Sequence, residues 1–375
     1  MRIEDCGLYK DEIRLKHQRV LEYLDGHKLD AVLLSRRCNF SWYTSGSRNF
    51  VGHAADVGNS WLLVARDGPV VLANNIEAPR LRSEELIPRG IDVVEWEWPD
   101  SAAQAATFHK FTRGRKVAVD APAPGLDLPR LGGDFDRLRW QLLPSEIERY
   151  RGVCGDVVAA IESAAHAAQP GQSENELAGT LSGELRRRGL LEWVILVAAD
   201  ERLRDFRHPL PTGRALRERV MLVTCADRGG LIAACSRIVS FGPLGDDLAR
   251  RHEAVCTVDA ALWSATRPGA TLGAIFAEAQ EAYRQVGYPD EWRLHHQGGS
   301  IGYLPREVRC GPGDATAAME NQAFAWNPSI AGAKSEDTIL CTSQGGQMLA
   351  AESTFPKVEV AWKGRTVQRA GILIR

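Results

Sequence analysis

No apolar run in these 375 residues is long enough to cross a bilayer. The longest, "AVLLS", "WVILVAA" and "MLVTCA", are strand-sized against the ~20 residues of a membrane helix. The opening "MRIEDCGLYKDEIRLKHQRV" is charged and lacks an apolar h-region, so no secretory signal is expected. Net charge is also scarce: −2, with both signs interspersed, which favours neither a nucleic-acid nor an anionic-membrane partner. The eight cysteines (6, 38, 154, 225, 235, 256, 310 and 341) include no C-x-x-C pair and read as reduced, mostly buried thiols. Together these absences point to an expected cytoplasmic protein.

The apolar share of 44% and the charged share of 25% are those of an ordinary globular chain. Its length suggests two domains of ~100–200 residues each. Apolar residues recur at helical spacing over 10–27 (Ile13, Leu15, Val20, Leu21, Leu24), closed by Gly26. "DAVLLS" (30–35) and "NFSWYTSG" (39–46) read as strands, and "SWLLVARDGPVVLAN" (60–74) as a hairpin turning at Asp67-Gly68. A helix near 77–86, "IDVVEWE", another helix and "KVAVD" (116–120) complete an α/β region over 1–140. Residues 121–143 are a Pro-, Gly- and Leu-rich connector. A long helix then starts with Ser145 as N-cap and Glu148 completing a capping box, and a second is capped by Ser173. The remainder of 141–375 groups strands and helices in blocks, so the chain as a whole is expected to be α+β. No internal repeat is visible.

Five stretches carry candidate chemistry: "FRHPLP" with His208, "TCADRGGLIAACSR" ending at Arg237, "HHQGGSIGY" (295–303), "GYLPREVR" with Arg306 and Glu307, and "WNPSIAGAKSEDTIL" with Glu336. Their order and spacing resemble the catalytic domain of the creatinase, prolidase and methionine aminopeptidase superfamily. The resemblance implies its pita-bread fold, preceded by a creatinase-type amino-terminal α/β domain. "NFSWYTSG" stands where that branch has N-I-x-Y-L-T-G.

In the metal-dependent members of that superfamily two Asp, one His and two Glu hold a dinuclear site. Aligned on Gly230, Leu231, Ser236 and Arg237, the first Asp falls at Val223–Thr224 and the second at Ala234. Asp227 lies out of register with both. The pattern H-x-G-H-x-x-G reads His296-Gln297-Gly298-Gly299-Ser300-Ile301-Gly302, which puts Gly299 at the ligand histidine. The E-P dipeptide reads Asn327-Pro328. Of the five ligands the resemblance implies, only Glu336 remains. No metal and no other cofactor is therefore expected, since one carboxylate cannot hold such a cluster.

The same resemblance gives His208 the place of the histidine that lies over the substrate, and creatinase itself keeps the fold without metal. His208 and Glu336 are the catalytic candidates. His296, Arg306, Gln297, Asn327, Arg237 and Cys225 are the candidates for substrate contact. Each has a plainer reading: a capping histidine at 208, a structural ion pair of Glu336 with Arg237 or Arg306, an inert packing thiol at Cys225. Of the two adjacent histidines, His296 is expected to face the pocket and His295 to pack in the core. The missing second glutamate on "LIAACS" argues against a guanidinium substrate.

These residues imply a metal-independent hydrolase acting on a C–N bond of a small polar molecule by histidine acid–base chemistry. A peptide- or partner-binding pseudopeptidase is the alternative, with a metal-dependent Xaa-Pro aminopeptidase behind it. The resemblance also implies a homodimer.

Overall fold

The structure, a computed structural model, describes residues 3–350 and 352–375. The side chains of residues 3–8, Cys6 among them, lie outside this description, as do the first two residues and position 351. The chain divides into two compact units, Met1–Arg139 and Trp140–Arg375.

The first unit opens with a helix at Ile3–His27 that buries Ile13, Val20 and Leu24, as its spacing requires. It runs through Gly26, and the turn comes at Lys28, with φ 56. Five strands follow: β1 (Ala31–Arg36), β2 (Val57–Ala65), β3 (Gly68–Asn74), β4 (Asp92–Trp96) and β5 (Val117–Val119). They lie in the order β4-β3-β2-β1-β5, with the β2–β3 hairpin closing at Asp67-Gly68 as expected. "NFSWYTSG" is not a strand. Residues Arg37–Tyr43 form a helix whose side chains are all buried. Lys16 Nζ donates to the Trp42 carbonyl at 2.5 Å, so tertiary contacts override the β-propensity of the aromatic run.

The second unit starts with a helix at Pro144–Ala167. Its N-cap is Leu143, not Ser145: Pro144 takes the first helical position, and Glu146 accepts a hydrogen bond from the Leu143 N–H at 2.9 Å. The helix Glu174–Arg187 does use Ser173, in a capping box with Glu176. Next come β6 (Leu191–Ala199), β7 (Arg219–Arg228) and β8 (Leu231–Ser240), an antiparallel set. Helices Asp246–Ala265 and Leu272–Gln285 carry the apolar core of this unit, including Val255, Leu262, Ile275 and Phe276.

A second antiparallel sheet then forms from β9 (Gly298–Ile301), β10 (Val308–Arg309), β11 (Ala323–Trp326), β14 (Asp337–Thr342) and β15 (Gly345–Met348). Its order is β10-β9-β11-β14-β15. The short pair β12 (Ser329–Ile330) and β13 (Ala333–Lys334) branches between β11 and β14. Strands β16 (Lys357–Trp362) and β17 (Arg365–Ala370) make a hairpin, and β18 (Leu373–Ile374) pairs in parallel with β8. The two sheets meet where Ser236 N–H donates to the Glu336 carbonyl at 3.1 Å. That junction positions the candidate site. Among the described residues no helix is long and apolar enough to cross a membrane.

Candidate active site

The histidine–glycine turn owes its form to two backbone approaches. Gly298 has φ 95 and Gly299 has φ 151. A Cβ on Gly299 would lie 2.0 Å from the Val308 carbonyl oxygen, and one on Gly298 would lie 2.2 Å from that of Ala325. Both carbonyls belong to strands flanking β9, so a side chain at 299 would collide with the sheet itself. Glycine is required here by sterics. The turn leaves no room for a ligand at that position.

The other vacated positions are filled just as fully. Val223 is part of the apolar core. The Ala234 N–H donates to Thr338 Oγ1 at 2.9 Å, and its carbonyl accepts from the same hydroxyl at 3.2 Å. Asn327 is buried, and its Oδ1 has no hydrogen-bond partner.

Glu336, 1% exposed, is held by three groups. Lys334 Nζ lies 2.8 Å from Oε2, Ser236 Oγ donates to Oε2 at 2.6 Å, and Arg306 Nη2 lies 3.4 Å from Oε1. Burial alone would raise its pKa, but Lys334 and Arg306 outweigh that and hold it below the usual value. Lys334 was not among the sequence candidates. Two residues apart on an extended stretch, Lys334 and Glu336 share a face, and that spacing was the available signal.

Above this ion cluster three histidines converge, with one nitrogen from each of His208, His295 and His296 within 4.8 Å of the others. His208 Nε2 and His295 Nε2 are 3.1 Å apart and share one proton. His295 Nδ1 bonds Ser329 Oγ at 3.2 Å, and Arg207 donates to the same oxygen at 3.0 Å. A relay therefore runs from Ser329 through buried His295 to exposed His208. His296 Nδ1 accepts from the Gly298 N–H at 3.2 Å, which fixes the neutral ring as the Nε2–H tautomer. Burial, then the Lys334 charge, lowers the pKa of both His208 and His295, most strongly for His295. His296 is lowered to about 4 by burial and by Arg306 and Arg309. All three rings are neutral at pH 7 and able to take a proton.

His208 hydrogen-bonds to His295 and not to Glu336, whose charge reaches it only through space. Arg237 does not pair with Glu336 either. It follows Ser236 on β8 and so faces the opposite side, paired with Glu162 at 2.9 Å and Asp337 at 3.0 Å. Gln297 is fully buried and clamps the turn from within, donating to the His295 carbonyl at 2.6 Å and accepting from Tyr283 at 2.8 Å. Cys225 is buried, and burial, then Glu336, pushes its thiol up to about 11, which suits a packing thiol better than a nucleophile. Cys38, Cys154, Cys235, Cys256, Cys310 and Cys341 are likewise buried.

This donor set does not fit the dinuclear metal centre that the family resemblance implies. The surviving carboxylate is occupied by an ammonium, a guanidinium and a hydroxyl. The histidine trio lies in the field of Lys334 and Arg306, which repels a cation, and His296 presents Nε2–H, not a lone pair.

The neutral histidines predict acid lability with a definite sign. Their folded pKa values lie below the unfolded value near 6.5, so their contribution is complete above that pH and is lost as pH falls toward 4. Asp259, raised to about 6 by burial, and Asp120, also raised by burial, act in the opposite sense, but His17 and His252, lowered by burial, add to the three site histidines. The urea midpoint is expected to fall between pH 7 and pH 5, and a midpoint that rises would contradict these shifts.

The sequence profile of metallopeptidase family M24 matches residues 148–343. An Xaa-Pro dipeptidase of Pyrococcus horikoshii is 21% identical over 366 residues, covering 90% of this chain and 97% of its own. An agropine synthesis cyclase of Rhizobium rhizogenes is 25% identical over 343 residues, covering 77% and 84%. Among solved structures, the prolidase from Pyrococcus horikoshii superposes with a TM-score of 0.75 at 18% identity, covering 90% of this chain and 99% of that one. The fold of the second unit is thus the pita-bread fold, behind an amino-terminal α/β domain, as the resemblance implied.

Proposed function

Because the chain belongs to metallopeptidase family M24 yet has Val223–Thr224, Ala234, Gly299 and Asn327 at four of the five ligand positions that the family resemblance implies, we propose that it is a metal-independent acid–base enzyme. It acts on a C–N bond of a small polar molecule. The observation that carries this reading is the histidine relay. An exposed imidazole, neutral at pH 7, is backed at 3.1 Å by a second, buried imidazole that fixes its orientation. His208 is the proton shuttle, with His295 as the residue that orients it. Glu336 sets the field and anchors Arg306 and Lys334. His296 Nε2–H, the Arg306 guanidinium and the Asn327 carbonyl oxygen remain to contact substrate.

The chemistry needs no metal to generate a nucleophile if the attacking hydroxyl gives its proton directly to His208. That hydroxyl belongs to water in hydrolysis or to the substrate itself in ring closure. The second form is favoured by the likeness to a protein described as a cyclase. A homodimer in solution is part of the same proposal.

Screening small amides and lactams for turnover in the presence of EDTA tests the reading. Turnover is expected to be indifferent to the chelator. Activity that disappears with EDTA and returns with Mn²⁺ would overturn it.

A further inference from the structure

The ion cluster under the histidines is unbalanced. Two cations, Lys334 and Arg306, meet one carboxylate, Glu336. The Lys334 side chain is 4% exposed and that of Arg306 14%. A buried positive charge is costly unless an anion or strong acceptor answers it. Among the described residues, two buried polar atoms here also lack partners: Arg306 Nε, a donor, and Asn327 Oδ1, an acceptor. Asn327 stands at one vacated ligand position, and Lys334 is paired with the only ligand that survives. The ammonium thus meets the carboxylate that would otherwise bind a divalent ion.

We propose that Lys334 is a catalytic residue, and that its ammonium, with the Arg306 guanidinium, receives the oxyanion formed when a substrate carbonyl is attacked. The inference rests on the acid–base reading above and narrows its substrate class to carbonyl compounds with an acyl C–N bond: amides or lactams. In the amide case, His208 takes the proton of the attacking hydroxyl as the new O–C bond forms. The π pair of the carbonyl moves onto its oxygen, which becomes the oxyanion beside Lys334. That pair returns as the C–N bond breaks, and the His208 imidazolium delivers its proton to the departing nitrogen. Donors fixed before the charge develops need no reorganisation when it does, which is what makes such a cradle effective. Asn327 Oδ1 accepts from an N–H or O–H of the same substrate.

The test uses the full-length chain and methylphosphonate, a tetrahedral anion, with acetate and acetamide for comparison. The ring resonances of His208 are followed by NMR. Methylphosphonate is expected to saturate the protein and to raise the His208 pKa, because a negative charge then sits beside the ring. Lys334→Gln should weaken its binding by at least about tenfold, the scale of one charged hydrogen bond. It should also raise the His208 pKa without any ligand, since the repelling ammonium is gone. Lys334→Arg should bind like the wild type.

Should Lys334→Gln fail to fold, Arg306→Gln decides, with the same expected loss. Failure of methylphosphonate to saturate, or equal affinity in wild type and variant, overturns the proposal. Acetate binding more tightly than methylphosphonate overturns it too, because the cradle would then serve a planar carboxylate. His208→Ala should still bind the probe. If that variant kept full turnover while probe binding still depended on Lys334, the acid–base reading would fall and the oxyanion site would stand.

Discussion

Replacing His208 by alanine is expected to cut turnover by ~10²–10⁴, the usual effect of losing a positioned acid–base group. The melting temperature should scarcely change. His208 is exposed on the loop between β6 and β7, and its hydrogen bond to His295 is the only one its ring makes among the described contacts. Removing it leaves no cavity in the core and no unpaired buried charge. His295→Ala should divide the other way. That ring is buried, bonded to both Ser329 and His208, and tilted against His296 with ring centroids 4.7 Å apart. Its loss should cost about 1–3 kcal/mol of stability along with part of the rate. The rate of the wild type should hold level above pH 6.5 and fall only at lower pH, since burial and the Lys334 charge hold the His208 pKa down. His208→Ala with wild-type turnover would move the acid–base role elsewhere, and Glu336 would be the next group to examine.

Restoring the family's ligand at position 299 should damage the protein instead of reviving a metal site. In Gly299→His the new Cβ would begin 2.0 Å from the Val308 carbonyl oxygen on β10 and 2.9 Å from the backbone nitrogen of Cys310, the residue after that strand. They can move only if the β9–β10 ladder opens. Overpacking of this kind costs ~1–3 kcal/mol. A non-glycine residue at φ 151 adds ~1–3 kcal/mol of backbone strain. A drop in denaturant midpoint with no gain in metal affinity is the expected result. A stable variant that binds Mn²⁺ would mean that β9 is far more pliable than its pairing implies.

Much of this site was legible in the residues, and the illegible part has physical reasons. The vacated ligand positions followed from the family resemblance, and the amphipathic helices and the Asp67-Gly68 hairpin from their periods. The helix at Arg37–Tyr43 did not, because an all-buried aromatic segment has no polar face to reveal its period. Ser145 looked like an N-cap, but Pro144 can occupy the first helical position, and the cap moved to Leu143. His208 and His295 lie far apart in sequence, and nothing local foretells a 3.1 Å contact between them. Lys334 was passed over because lysine is rarely buried, so an exposed position was the natural expectation. Arg237 and Gln297 carry groups suited to substrate contact, yet strand alternation turns one away and a tight turn encloses the other.

The central claim is that neutral histidines and a fixed ammonium replace the metal ions in this member of the M24 family. Metal analysis of the purified protein, followed by calorimetric titration with Mn²⁺, Co²⁺ and Zn²⁺, tests it most directly. The account predicts no stoichiometric metal and no saturable site at the Glu336 cluster in the wild type. About two ions bound per chain, lost on Glu336→Ala, would contradict it.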